Sequence, residues 1–168
     1  SGLRWVFIGA ESGHDTVLDM MEGDHTVTDI LRAAEKLSRH KIKATFSFNL
    51  GYPGEPPDNF NRTEALCREL LRLNHETELM VYVTTAYDST PAFHRAREFA
   101  SKTTNTIDDS SHLDQRSGKG KAWLSQEYSR KLFNFSITTF YATSFLHRRF
   151  RRRFPRNLFL RLLHGVAN

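Results

Sequence analysis

The chain has 168 residues, with 24 Lys and Arg against 19 Asp and Glu, a net charge of +5 and one cysteine. That length suits one compact domain able to bury about 70% of its unfolded surface, and 39% hydrophobic with 26% charged residues excludes an intrinsically disordered chain. A single cysteine excludes a disulfide framework, a multi-cysteine zinc site and a self-contained iron–sulfur cluster, since each needs several thiolates.

No apolar run approaches the roughly 20 residues of a membrane helix. From Ser1 the chain passes directly into an apolar run with no basic leader, as expected of a piece of a longer, cytoplasmic polypeptide. Leu3–Ile8, closed by Gly9, reads as a first strand. A helical turn is expected over Asp15–Met21 and a longer helix over Val27–His40. In the longer helix Ile30, Leu31, Ala34 and Leu37 share one face, opposite Arg32, Glu35, Lys36 and Arg39. Thr26 or Thr28 is its expected N-cap. Over Ile42–Asn49, Ile42, Ala44, Phe46 and Phe48 alternate with Lys43, Thr45, Ser47 and Asn49, the period of a strand with one buried face. The turn-rich stretch Gly51–Pro57 leads, with Asp58 as cap, into a helix over Asn59–Leu73 that turns Phe60, Leu66, Leu70 and Leu73 inward. A third strand follows over Glu78–Thr85, and Pro91 opens a short helix through Ala100.

Charge divides the chain. Residues 1–100 hold 11 basic and 15 acidic side chains, whereas residues 101–168 hold 13 basic and 4 acidic. Three segments are expected: an α/β part over 1–100, a polar linker over 101–121 and a basic helical extension over 122–168. In the extension Leu132, Phe135, Thr139 and Ala142, with Phe133, Phe140 and Phe145 adjoining, suit a helix packed on a larger body. The run His147–Arg156 interleaves arginines with Phe150 and Phe154. It suits a solvated basic face, or one that meets acidic surface on a missing portion; next an anionic membrane surface, and less well a nucleic acid.

Alternating strands and helices predict parallel strands joined by right-handed crossovers, with the working loops after the strands' carboxyl ends. Those loops are Gly9–His14, Leu50–Pro57 and Thr85–Thr90. In the first, Glu11 and Ser12 would project from the strand end as carboxylate and hydroxyl, a pairing suited to a ribose. A solvated loop with a capping serine is the plainer alternative. Ser12, His14 and Asp15 carry the letters of a hydrolase triad, but lie too close in sequence to align as one. In the second loop Gly51 and Gly54 flank Pro53, leaving backbone groups exposed to read a flat heterocycle; otherwise it is a tight turn into the next helix. It lacks the Gly-Lys-Ser/Thr ending of a phosphate loop.

The stretches Ile-Gly-Ala-Glu-Ser-Gly (8–13), Thr-Phe-Ser-Phe-Asn-Leu-Gly-Tyr-Pro-Gly-Glu (45–55) and Thr-Thr-Ala-Tyr-Asp-Ser-Thr-Pro (84–91) together resemble the second half of the radical S-adenosylmethionine enzyme barrel. The segment Trp123–Tyr128 is similar to the C-terminal helices of the subgroup that carries a cobalamin-binding domain. The resemblance implies an incomplete (β/α) partial TIM-like barrel of about three β/α units with a helical extension. It implies S-adenosylmethionine and a [4Fe-4S] cluster as cofactors, with cobalamin in the subgroup. The cluster, its cysteines and the first strands would lie in an upstream part of the same polypeptide. A reduced cluster there would cleave S-adenosylmethionine to a 5′-deoxyadenosyl radical that acts on a small-molecule or lipid-like substrate.

Carried over by resemblance, Glu11 and Ser12 would contact the nucleoside, Ser47 the ribose, and Gly51, Pro53, Gly54 and Glu55 would lie beside the adenine. Where many members place a Lys or Arg for the methionine carboxylate, this chain has Glu22 and Gly23. Asn49 stands at a usually apolar position, and Asp88-Ser89 replaces a usual Pro-Gly. This chain alone would be inactive. The alternative is a non-catalytic nucleoside- or partner-binding α/β module with a basic membrane- or RNA-docking tail. Cys67 is expected in the core of its helix, and His75, His94 and His112 show no metal-ligand spacing.

Overall fold

The three apolar runs form strands β1 (Trp5–Glu11), β2 (Lys43–Leu50) and β3 (Glu78–Val83) in one open, wholly parallel sheet of order β1-β2-β3. Residues 2–87, 90–103 and 123–144 are described in the computed structural model, the side chains of 99–103 excepted. The linker from 104, Asp88-Ser89, and the chain from 145 with its arginine run lie outside the described residues. Between the strands run α1 (Asp15–Met20), α2 (Val27–Arg39) and α3 (Asn59–Leu73); α4 (Pro91–Thr103) and α5 (Gln126–Thr143) follow β3. Pro91 opens α4 as expected, and the helix continues three residues past Ala100.

One face of the sheet is the core. Val6, Ile8, Ala10, Ala44, Phe46, Phe48, Leu50, Leu79 and Val81 pack on Ile30 and Ala34 of α2 and on Phe60, Leu66, Cys67 and Leu70 of α3. Leu132 and Phe135 of α5 join them, with the Phe60 and Phe135 rings edge-on at 5.1 Å. The start of α2 is a capping box, in which Thr26 Oγ1 accepts from the Asp29 amide and the Asp29 carboxylate accepts from the Thr26 amide.

Four expectations need correction. β1 starts two residues later than expected and runs on through Gly9 to Glu11. Gly9 marks a bulge inside the strand, since Gly9 pairs with Ser47 and Glu11 already with Phe48. The polar face of β2 is buried too: Thr45 accepts from Trp5 Nε1 at 3.0 Å and donates to the Glu78 carboxylate at 2.8 Å. A central strand is flanked on both sides, so its polar side chains find partners on the neighbouring strands. Asp58 precedes α3 but does not cap it. Its backbone is already helical, and its carboxylate pairs with Arg62 at 2.6 Å and faces His14 Nε2 at 3.5 Å. On α5 it is Thr143, not Ala142, that reaches the interior, and Phe133 points outward.

The outer edge of β3 is covered by α5. Thr143 Oγ1 accepts from the Leu79 amide at 2.8 Å and shares its proton with the carbonyls of Thr139 and Leu79. Two turns back, Ser136 Oγ donates to the Val81 carbonyl. Higher helix numbers meet lower strand numbers, so α5 runs antiparallel to β3. Its hydroxyls satisfy the edge groups that a further strand would use.

Candidate functional site

The carboxyl ends of the three parallel strands lie at one end of the sheet, and five of the seven candidate residues stand directly on them or on the loop after β2. Glu11 ends β1 with φ +59°, a left-handed conformation that costs energy for a residue with a Cβ. That twist folds its carboxylate back over Gly9, where Oε1 occupies the space a Cβ would need. Its Oε2 accepts from the Asn49 amide group of β2. Glu11 is therefore aimed by two things, an absent side chain at 9 and an amide at 49. Ser47 shares this face, in register with Gly9 on one side and Met80 on the other, while Asn49 stands beside Tyr82. Ser47 is buried, with its hydroxyl 3.5 Å from the Ile8 carbonyl.

Ser12 does not project from the strand end. It is 0% exposed, donates to Asn59 Oδ1 at 2.7 Å and accepts from the His14 amide at 3.1 Å. Next to it the Gly13 amide donates to Thr63 Oγ1 at 2.9 Å, and a Cβ at 13 would stand 2.5 Å from the α3 backbone at Thr63. The close approach of two backbones pulls this turn inward and takes Ser12 with it.

The loop after β2 also differs from expectation. Gly51 and Gly54 have φ of +77° and +80°, so glycine is required at both turns. Its first backbone groups are not left open. The Gly51 and Tyr52 amides donate to Glu55 Oε2 at 3.0 and 2.9 Å, the Tyr52 carbonyl accepts from the Glu55 amide, and the Gly51 carbonyl accepts from Trp123 Nε1 at 2.8 Å. Glu55 is thus a clamp on its own loop. Oε2 also accepts from Asn59 Nδ2 at 2.8 Å, and Oε1 accepts from the Tyr128 hydroxyl at 2.6 Å. Burial, with the Glu55 carboxylate beside it, pushes the Tyr128 phenol well above its ordinary pKa. Pro53 is buried, Gly54 is exposed, and Tyr52 donates to the Met20 carbonyl at 3.1 Å.

Past β3, the Thr84 amide donates to the Leu50 carbonyl at 2.7 Å, which ties the strand end to the second loop. Thr84 is only 7% exposed, and its hydroxyl has no hydrogen-bond partner among the described residues. A buried hydroxyl without a partner calls for one, from a water or from a ligand's polar group. Reading the residues alone assigns no role to Asn59, Thr63 or Thr84. The pair Asn59 and Thr63, four apart on the buried side of a helix, is the one local signal that could have pointed to a polar network.

The residues here do not fit an iron–sulfur cluster. Cys67 is buried in α3, where desolvation raises its thiol far above the ordinary range, and no group of three or more His, Cys, Asp or Glu among the described residues could hold a metal ion. They fit the polar end of a nucleoside, through the Glu11 carboxylate and the orphaned Thr84 hydroxyl. No helix among the described residues is long and apolar enough to cross a membrane. Residues 1–67, from β1 to the middle of α3 and including Glu11, Asn49 and the whole Gly51–Glu55 loop, match the family model of the Radical SAM superfamily.

Proposed function

We propose that this chain is part of a radical S-adenosylmethionine enzyme and holds the adenosine end of S-adenosylmethionine at the carboxyl ends of β1–β3. The observation that carries this reading is the Glu11 carboxylate, held at the strand end in a strained conformation within the family match. Strain of that kind is kept where an aimed side chain is useful, and a carboxylate can accept two hydroxyls of a ribose. In this reading the sheet is the closing portion of a partial barrel. Upstream strands of the same polypeptide would join at the β1 edge, where Leu3, Trp5 and Phe7 are each about half exposed, because α5 already covers the edge of β3.

The [4Fe-4S] cluster would belong to that upstream portion, and no residue of this chain is assigned to it. When bound, the cluster and S-adenosylmethionine supply the radical chemistry. This chain's own residues would bind and orient: Glu11 takes the ribose hydroxyls, Asn49 fixes Glu11, Thr84 offers a hydroxyl, and Gly51–Glu55 forms the wall beside the base. Cobalamin, which the Trp123–Tyr128 likeness brings in, would sit on a domain outside this chain.

The test is S-adenosylmethionine binding to the complete protein, wild type against Glu11→Gln. Loss of a charge-assisted hydrogen bond costs about 1.5–3 kcal/mol, so binding about 10- to 100-fold weaker is expected. Equal affinity in a folded variant would take Glu11 out of the site.

A further inference from the structure

Residues 123–144 lie outside the family match, yet they supply two of the groups that shape the Gly51–Glu55 loop. Trp123 holds the Gly51 carbonyl at 2.8 Å, and Tyr128 holds Glu55 Oε1 at 2.6 Å. The two oxygens of a carboxylate share one rigid plane. Fixing Oε1 from α5 therefore sets the plane in which Oε2 meets the Gly51 amide, the Tyr52 amide and Asn59 Nδ2. Behind the loop there is no slack: a Cβ on Gly51 would stand 2.9 Å from both Leu124 and Leu132.

We propose that Tyr128 is a positioning residue for the ligand loop. Its hydroxyl fixes the Glu55 carboxylate and, through it, the Gly51 and Tyr52 amides, so that loop and C-terminal helix act as one unit. The consequence for ligand binding rests on the nucleoside reading given above; the mechanical coupling does not. If Tyr128 served only to fill space, phenylalanine would do as well.

The experiment compares the complete wild-type protein with Tyr128→Phe, reading hydrogen exchange at the Gly51 and Tyr52 amides and binding of S-adenosylmethionine. In the folded variant we expect both amides to exchange at least about tenfold faster, the worth of one hydrogen bond to a charged group, and S-adenosylmethionine, which feels the loss only through the loop, to bind about 5- to 20-fold more weakly. Glu55→Gln is the conservative control. Its neutral carbonyl has two lone pairs for the three donors that meet Oε2, so both amides exchange faster in it as well, and adding Tyr128→Phe raises exchange by less than it does in the wild type. Unchanged amide exchange in folded Tyr128→Phe overturns the proposal, as does faster exchange with unchanged affinity. A wild type that does not bind S-adenosylmethionine sinks the nucleoside reading instead, and the exchange comparison then decides the coupling alone. Should the variant not fold, the wild-type Tyr128 phenolic proton serves: protection comparable to the Gly51 amide upholds the coupling, and free exchange with water overturns it.

Discussion

Glu11 and Glu55 are the two carboxylates of the first two strand-end loops, and folding employs them oppositely. Glu11 has one side-chain donor, Asn49, and stays at the mouth; Glu55 gathers four donors and turns inward on its own loop. The partner of Glu11 is 38 residues away in sequence, whereas three donors to Glu55 lie three or four residues away and the Tyr128 hydroxyl lies 73 away. The buried Cys67 thiol and the partly buried Tyr128 phenol make a pH prediction at this scale. Burial first, and then Glu55, raises the Tyr128 phenol above its ordinary 10.0, and burial raises the Cys67 thiol above its ordinary 9.0. As pH climbs past those ordinary values, the unfolded chain releases protons that the native chain keeps, so stability falls. Urea midpoints measured from about pH 8 to 11 should decline, and Tyr128→Phe should flatten the decline. A flat profile in the wild type would contradict the withdrawal of both groups from water.

Among the elements, α5 has two tasks, one on the core face and one along the edge of β3. The second rests on hydroxyls, so Thr143→Val tests it at nearly constant volume. The substitution leaves the buried Leu79 amide unpaired, at a cost of about 1–3 kcal/mol, read as a lower denaturant midpoint with an unchanged slope. A midpoint equal to wild type would mean that the edge finds another partner. Elements defined by hydrophobic period were legible in advance: α2, α3 and β3 fall within a residue or two of where Ile30, Ala34, Leu66, Leu70 and Val81 place them. What escaped was set by tertiary contact. The bulge at Gly9 depends on pairing with Ser47, the inward turn of Ser12 on Gly13 meeting Thr63, and the closed backbone of the Gly51 loop on Trp123 and Glu55. Periodicity carries no information about such partners. The candidate site was therefore legible as a location and only partly as a list of residues.

For the whole molecule, the two margins of the sheet differ. β3 is finished by α5, whereas the β1 side presents Leu3, just before the strand, and Trp5 and Phe7 within it, each about half exposed. An open edge with apolar side chains is a template for pairing. The 168-residue chain on its own is expected to associate with increasing concentration in sedimentation velocity, and Leu3→Lys with Phe7→Lys to suppress that association. A monomer unaffected by either change would mean that the β1 edge recruits nothing.

The direction of α5 has a mechanical meaning. Its first turn grips the Glu55 carboxylate at the mouth of the sheet through Tyr128, and its last grips the second residue of β3 through Thr143. Fifteen residues of helix span about 22 Å between those two grips, at about 1.5 Å per residue. A rod pinned at both ends cannot slide or tilt at one without moving the other. The floor of the sheet and the rim where a ligand would sit are thus joined by one helix, held at both of its ends.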